Sequence, residues 1–162
     1  MIVRRAEEKD TDGILKLLVQ VDMVHHNGRP DLFKGPATKY NAKELSEIIK
    51  DDTTPVFVCV DNDEQVPEDC SGNTEGAYSE KVLGHAFCIH RQIRDNSVMT
   101  DVRTLYIDDI CVDENERGKH IGKLLYDSVL EYAKEEGFYN ITLNVWSCNP
   151  GAVKFYEAMG LK

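Results

Sequence analysis

A strand-like pattern changes into a helix-like one within the stretch Ile110-Cys-Val-Asp-Glu-Asn-Glu-Arg-Gly-Lys-His-Ile-Gly-Lys-Leu-Leu125. The turn between the two contains glycine and the basic side chains of Arg117, Lys119 and Lys123. Such a turn exposes backbone N–H groups beside the positive end of a helix dipole, where anions bind. The stretch therefore predicts a site for a diphosphate, although an ordinary exposed loop that the glycines merely turn fits the same residues.

The spacing of the glycines excludes two common phosphate-binding motifs. A P-loop places four residues between its first glycine and a Gly-Lys pair that is followed by Ser or Thr. Here three residues separate Gly118 from Gly122, and Leu124 follows Lys123. The dinucleotide-binding pattern Gly-x-Gly-x-x-Gly does not occur in the chain. A diphosphate at this turn would need a different arrangement of backbone donors.

Outward from this turn, the hydrophobic pattern alternates between strands and helices. Asn41 followed by Glu44 predicts a capping box for one helix, and Gly137 is placed to end another. The predicted strands cover residues 2–4, 55–60, 81–90, 103–112 and 141–145, and the predicted helices begin near residues 11, 41, 121 and 150. This order predicts a mixed α/β sheet with a parallel portion, in a single domain over residues 1–162.

Two segments lack such a period. Residues 25–36 mix glycine and proline with the adjacent His25 and His26, which predicts a loop over the surface or over a site. The two histidines have no carboxylate at metal spacing, so surface positions are favoured for them. Residues 61–80 are polar and acidic, and they predict a long hairpin connection.

Composition and charge limit the classes of partner. The 162 residues are 41% hydrophobic and 30% charged, which is typical of one soluble globular domain. With 29 acidic and 19 basic side chains, the net charge of −10 disfavours binding to nucleic acid or to an anionic membrane. A cationic partner is favoured, or the acidic excess only maintains solubility.

Cysteine usage and the lack of targeting segments indicate a reducing compartment. The five cysteines form no CxxC pair and have no histidine at zinc-finger spacing, which predicts reduced thiols and no metal site. The N-terminus lacks an apolar signal core, and no run approaches the ~18 apolar residues of a transmembrane helix. We therefore expect a cytoplasmic protein.

The stretch 110–125 resembles the acetyl-CoA signature of the GNAT N-acetyltransferases, which reads Arg or Gln, two residues, Gly, one residue, then Gly or Ala. Arg117 and Gly122 match the ends of this signature. His120 stands at the usual first glycine, where a side chain would narrow the approach of the pyrophosphate or require a positive φ. A second segment, Asn149-Pro-Gly-Ala-Val-Lys-Phe-Tyr-Glu-Ala-Met-Gly160, is similar to the later motif of that family.

The resemblance implies a fold, a cosubstrate and a set of binding residues. The fold is a mixed, mostly antiparallel twisted sheet with a splayed central parallel pair, flanked by helices; a final family strand is absent or missing after Gly160. Acetyl-CoA is the implied cosubstrate, without a metal. Its pantetheine arm would bind the backbone of Ile110, Cys111 and Val112, and Asn149 belongs to the cofactor site. The pyrophosphate would bind at Arg117, Gly118, Lys119, His120, Ile121, Gly122 and Lys123.

Three residues are candidates for the chemistry. Tyr156 matches the tyrosine that protonates the leaving thiolate in many family members, although a tyrosine on an apolar helix face is also typical of a core. Asp108 and Asp109 interrupt an apolar strand just before the cofactor residues, and either is a candidate base or amine ligand. Adjacent strand residues face opposite ways, so we expect at most one in the site unless a bulge intervenes. Exposed strand-end carboxylates are the alternative.

These features favour an acyltransferase that moves an acetyl group from acetyl-CoA directly to a primary amine, with a small cationic amine as the expected acceptor. A protein or peptide amine is an alternative acceptor. Two other classes remain open: an acyl-CoA-binding sensor without turnover, and an interaction domain that uses the acidic segment 61–80. Many relatives are dimers, so a homodimer is compatible with the resemblance.

Overall fold

The structure is a computed structural model, and it describes residues 1–35, 38–61, 81–92, 94–98, 100–145 and 150–161. Asn149 and nearly all of the acidic segment 61–80 lie outside these ranges, so the predictions made for them stay predictions. Across the described residues, no helix is long and apolar enough to cross a membrane.

Five strands form one sheet in the order β1-β2-β3-β4-β5. The pairings from β1 to β4 are antiparallel, and β4 pairs with β5 in parallel. The strands are β1 Ile2–Arg5, β2 Val56–Asp61, β3 Lys81–Gln92, β4 Arg103–Val112 and β5 Asn140–Leu143. This topology confirms the predicted mixed, mostly antiparallel sheet.

Within the described residues, four α-helices flank the sheet, and their ends follow the predicted signals. They are α1 Thr11–Gly28, α2 Ala42–Lys50, α3 Ile121–Glu135 and α4 Pro150–Ala158. The Asn41 side chain accepts a hydrogen bond from the backbone N–H of Glu44 at 2.8 Å, which closes the expected capping box. Gly137 has a φ of +73°, and the N–H of Phe138 donates to the Ala133 carbonyl at 2.9 Å, which ends α3 in a Schellman motif.

Two local predictions were wrong. The predicted loop began at His25, but α1 continues to Gly28. Contacts with the following loop stabilise the end of this helix, where the sequence has no regular spacing of apolar residues. His25 packs on Phe33 with ring centroids 4.9 Å apart, and His26 Nδ1 lies 2.7 Å from the Phe33 carbonyl oxygen. The last strand was predicted to reach Val145, but β5 ends at Leu143 and Val145 is 38% exposed.

Hydrophobic clusters cover both faces of the sheet. One cluster packs α3 against one face through Ile121, Leu125 and Val129, and the other packs α1 and α2 against the opposite face through Ile14, Leu17, Leu18 and Leu45. The predicted free thiols are found at the described positions: Cys59, Cys88 and Cys111 are buried and unpaired. The sheet is therefore a rigid platform between two cores.

The parallel pair separates where β4 continues beyond its partner. β5 pairs with β4 only from Thr104 to Ile107, opposite Asn140 to Leu143. Residues 108–112 of β4 have no β5 partner within the described chain, although they still pair with β3 as far as Val112. Ile110, Cys111 and Val112 at this edge line one cavity together with Phe155 and Tyr156 of α4.

Candidate active site

A β-bulge in β4 places the two adjacent carboxylates together. Phe87 pairs with Asp109 and Cys88 pairs with Ile107, so Asp108 is the extra residue opposite β3. Strand alternation, which predicted at most one carboxylate in the site, fails here because the bulge shifts the alternation by one residue. Both carboxylates line the same cavity. The prediction from the sequence had named a bulge as the exception that would permit this.

A first cavity follows the predicted cofactor stretch. It has a volume of about 620 Å³ and lies between the end of β4, the turn before α3, and α4. The predicted cofactor residues that line it are Ile110, Cys111, Val112, Arg117, Gly118, His120, Ile121, Gly122 and Lys123. Lys119 does not line this cavity, and its ammonium is ion-paired with Glu116.

The turn before α3 presents the helix N-terminus to this cavity. His120 is the N-cap residue, with φ 62° and ψ 24°, and its side chain makes no capping hydrogen bond. The positive φ that the histidine was expected to require is therefore observed, and Gly118 also has a φ of +87°. The first N–H groups of α3 have no intrahelical acceptors, so they are available to an anion together with the exposed Arg117.

The charges around the turn are balanced by ion pairs. Glu116 also lines the cavity, and hydrogen bonds from Lys119 and Lys81 lower the pKa of its carboxyl group. The Lys81 ammonium lies 3.3 Å from Glu116, and the Lys123 ammonium lies 3.0 Å from Asp127 one helical turn away. These lysines neutralise the local carboxylates.

A substitution at Gly122 tests whether this cavity holds acetyl-CoA. A Cβ atom at Gly122 would lie 2.9 Å from Phe155 Cε2, so a branched side chain must displace Phe155 on the opposite wall. We expect Gly122→Val to raise the Kd for acetyl-CoA roughly ten- to hundredfold in calorimetry, as overpacking of a cavity wall costs about 1–3 kcal/mol.

Lys134→Val is the matched control for the Gly122 substitution. It places the same branched side chain at an exposed position of α3, outside both cavities. Its acetyl-CoA affinity should equal that of the wild type. Equal affinities of the two variants for acetyl-CoA would contradict the assignment of acetyl-CoA to this cavity.

The second cavity adjoins the first and contains the carboxylates. Its volume is about 750 Å³, and its walls come from α1, the loop before α2, β4 and α4. Four residues line both cavities: Val21, Ile110, Ala152 and Tyr156. A group bound beside Tyr156 in the first cavity would therefore also face the second cavity.

The two carboxylates have different partners in the second cavity. Asp109 Oδ2 lies 2.9 Å from Nε2 of the fully buried His85. Asp108 Oδ2 accepts hydrogen bonds from the Lys39 ammonium at 2.6 Å and from the Tyr40 hydroxyl at 3.4 Å. Burial alone would lower the pKa of Lys39, but the hydrogen bond and the negative charge of Asp108 outweigh it and raise that pKa.

Tyr156 and Cys111 both carry their protons at neutral pH. Tyr156 is 9% exposed, and burial, with a further contribution from the charge of Asp109, raises the pKa of its hydroxyl. Burial likewise raises the pKa of the Cys111 thiol to about 12. A thiol nucleophile must be a thiolate, so Cys111 is chemically unsuited to attack a thioester.

Two polar side chains at this site, His85 and Lys39, are not among the residues predicted from the sequence. His85 stands in the run Lys81-Val-Leu-Gly-His-Ala-Phe-Cys-Ile-His90, where a histidine within an apolar strand was the available signal. Lys39 lies in a loop 69 residues from Asp108 in the chain, and no local pattern connects the two. Within the described ranges, no group of three or more His, Cys, Asp or Glu side chains is placed to hold a metal ion.

Comparison with known proteins gives the class of this fold and site. The model of the acetyltransferase (GNAT) family matches residues 32–161. The chain belongs to this family, and membership implies acetyl-CoA as the cosubstrate.

Individual relatives are similar over shorter or longer parts of the chain. A probable glucosamine 6-phosphate N-acetyltransferase of Drosophila melanogaster is 37% identical over 54 residues, which are 33% of this chain and 23% of that protein. Glucosamine 6-phosphate N-acetyltransferase of Candida albicans is 39% identical over 57 residues, or 35% of this chain and 36% of that protein. The chain thus matches about a quarter to a third of the length of these relatives.

A solved structure extends the likeness to the whole chain. A tetramutant of the BH1408 protein from Bacillus halodurans superposes with a TM-score of 0.85 at 27% identity. The superposition covers 100% of this chain and 94% of that protein. The arrangement of strands and helices described above is therefore shared with a protein solved by crystallography.

Proposed function

We propose that this protein transfers the acetyl group of acetyl-CoA directly to the primary amine of a small cation. The observation that carries the proposal is the junction of the two cavities at Tyr156: one cavity is lined by the N-terminus of α3, and the other is lined by two carboxylates. A helix N-terminus is a favourable place for an anion. Family membership supports the cosubstrate.

The first cavity offers contacts for the pyrophosphate, the pantetheine arm and the thioester of acetyl-CoA. The pyrophosphate would accept hydrogen bonds from the N–H groups of 118–123 beside Arg117, and Asn149 remains a predicted member of this site. The pantetheine arm would extend along the edge of β4 that faces away from β3 at Ile110, Cys111 and Val112, where β5 does not pair with β4 within the described chain. The thioester would then lie near Tyr156.

Direct transfer needs one base and one acid. A carboxylate takes a proton from the acceptor ammonium, and the neutral amine attacks the thioester carbonyl. The new C–N bond forms as the C–S bond breaks, the departing thiolate receives a proton from Tyr156, and the newly acylated nitrogen loses its second proton to solvent. The carboxylate and Tyr156 return to their starting states by proton exchange with solvent. No covalent acetyl-enzyme is needed, in agreement with the burial that raises the pKa of the Cys111 thiol.

The charges of the second cavity support a cationic acceptor. Asp22, Asp108 and Asp109 line it, and the net charge of the chain is −10, so an ammonium is attracted at long range and held at short range. The Lys39 ammonium is ion-paired with Asp108 in the structure, and an acceptor ammonium would displace Lys39 from this carboxylate.

Lys39 also favours a second candidate acceptor. Two relatives are named for glucosamine 6-phosphate, an amine that carries a phosphate group. A phosphorylated amine could place its anionic group on Lys39 and its nitrogen on a carboxylate. The two candidates require opposite roles for Lys39, which makes this residue the discriminating position.

Lys39→Met separates the two candidates. For a cationic diamine, removing the competing ammonium should lower KM roughly two- to fivefold, which corresponds to the interaction free energy of a partly exposed ion pair. The effect should be larger at low salt, where the charges are screened less. Thiol release from acetyl-CoA at varied amine concentration measures this. Lys34→Met, in the same loop but outside both cavities, is the control. A KM that rises instead, with a phosphorylated amine as the better substrate, would contradict the cationic acceptor.

A panel of amines tests turnover itself. Thiol release with a diamine, an uncharged amine, a phosphorylated amine and a peptide amine distinguishes an enzyme from a sensor that binds acetyl-CoA without reaction. Acetyl-CoA binding in calorimetry without thiol release for any amine would leave only the sensor.

We also propose a single cytoplasmic domain and a homodimer, and light scattering with size exclusion checks the dimer.

A further inference from the structure

His85 is a buried titratable side chain that the proposed transfer does not use. It lies in β3, is fully buried, and pairs with Val58 of β2 and Cys111 of β4. Its ring meets the Phe87 ring edge-on, with centroids 4.9 Å apart and an interplanar angle of 81°. A histidine in this central position costs stability unless its polar atoms are satisfied.

Only one of the two ring nitrogens is satisfied. Nε2 lies 2.9 Å from Asp109 Oδ2, whereas Nδ1 is buried and has no hydrogen-bond partner among the described residues. A buried unpaired N–H is a costly arrangement, and a bare lone pair at Nδ1 avoids it. The proton of a neutral ring therefore belongs on Nε2, where it is donated to the Asp109 carboxylate.

The unpartnered Nδ1 also decides what His85 cannot do. A proton relay through an imidazole takes a proton at one nitrogen and releases it at the other. Nδ1 has no acceptor and no donor to exchange with in the described structure. A proton taken up by Asp109 must then leave through the second cavity, not through the histidine.

The two carboxylates also differ in how firmly they are held. Asp108 is bound by Lys39, whose side chain is 54% exposed and free to exchange with an acceptor. Asp109 is bound by a ring fixed in the middle of the sheet, with 0% exposure. Asp109 is therefore the carboxylate whose geometry is preset, as a base requires, and Asp108 is the one suited to exchange cations.

We infer that His85 is a positioning residue for Asp109: its Nε2–H holds Oδ2, so that the other carboxylate oxygen is presented to the acceptor amine in the second cavity. The inference rests on the proposed function, in which a carboxylate removes the proton of the amine. It assigns Asp109 as the base and Asp108 as the cation ligand.

Two substitutions at His85 separate positioning from relay. The amide nitrogen of Gln reaches the place of Nε2 and keeps a donor, whereas Leu fills similar space without one. His85→Leu should lower kcat roughly ten- to hundredfold and leave acetyl-CoA affinity unchanged, because a misaligned base loses part of its usual contribution of about 10²–10⁴. His85→Gln should restore kcat to within a few-fold of the wild type. If Gln is as damaging as Leu, the ring acts as more than a donor and the inference fails.

A double-mutant cycle guards against a merely structural effect. On an Asp109→Asn background, His85→Leu should change kcat little, since the carboxylate to be positioned is already gone. A loss equal to that in the wild-type background would overturn the inference. Thermal unfolding of each variant identifies any that fail to fold.

A measurement without turnover separates this inference from the proposed function. Nitrogen NMR of the labelled imidazole in the intact protein should show a neutral ring protonated at Nε2, with Nε2 shifted by Asp109→Asn. A ring protonated at Nδ1 overturns the inference whatever the activity. The expected tautomer in a protein that releases no thiol with any amine would instead overturn the proposed function, and the catalytic part of the inference with it.

Discussion

Asp109→Asn is expected to lower kcat for a diamine by roughly 10²–10⁴-fold near neutral pH, the usual contribution of a general base. The amide keeps the shape of the side chain and can still contact His85, but it cannot take the proton of the acceptor ammonium. Initial rates of thiol release, fitted for kcat and KM, measure the effect. Acetyl-CoA affinity should not change, because Asp109 lines only the second cavity.

The matched control is Asp108→Asn, one residue away on the same bulge. It removes a cation ligand and not the base, so KM for the diamine should rise roughly two- to fivefold while kcat stays close to that of the wild type. Equal loss of kcat in both variants would contradict the division of roles between the two carboxylates.

The pH dependence of Asp109→Asn gives a further check with a defined sign. A free alkylamine has a pKa of about 10.4, so its neutral fraction grows as pH rises and a general base is needed less. The deficit of Asp109→Asn relative to the wild type should therefore shrink toward high pH. A deficit that is constant at every pH would indicate that the substitution damages the site in another way.

Tyr156→Phe is expected to lower kcat roughly 10²–10⁴-fold with acetyl-CoA affinity nearly unchanged. The ring and its packing remain, and only the proton donor to the thiolate is lost. The pKa of the Tyr156 hydroxyl is raised by burial first and then by the charge of Asp109, so the donor stays protonated across the assay range. When Asp109 takes the proton of the amine, its charge disappears, and Tyr156 becomes a stronger acid as the thiolate leaves.

Tyr126→Phe is the control for this substitution. Tyr126 is also a buried tyrosine, 8% exposed on α3, but it lines neither cavity. Its loss of a hydroxyl should leave kcat unchanged. Wild-type turnover in Tyr156→Phe would show that Tyr156 is a packing residue and that solvent protonates the thiolate.

Local signals predicted most of the fold. β4 has the predicted bounds, Arg103–Val112, because its apolar run is bounded by polar turns on both sides. The Asn41 cap and the Gly137 stop also act within a few residues of themselves. Such features depend on neighbours in sequence, and a single chain displays them fully.

Contacts distant in sequence could not be predicted in the same way. The bulge at Asp108 exists only in the register with β3, so alternation along β4 alone gave the wrong orientation for one carboxylate. The contact of His85 with Asp109 joins residues 24 apart, and that of Lys39 with Asp108 joins residues 69 apart. The first cavity was easier to predict as a feature of the structure, because more than half of the residues that line it lie in the single stretch from Ile110 to Lys123.

The most direct test of the account follows the acetyl group itself. The protein is incubated with a diamine and with acetyl-CoA that carries an isotopic label in the acetyl group. The masses of the amine and of the intact protein are then measured by mass spectrometry. Direct transfer predicts a labelled acetyl group on the amine nitrogen in a one-to-one ratio with released CoA thiol, and no labelled protein at any time. Bound but unconsumed acetyl-CoA, or label that appears first on the protein, would contradict it.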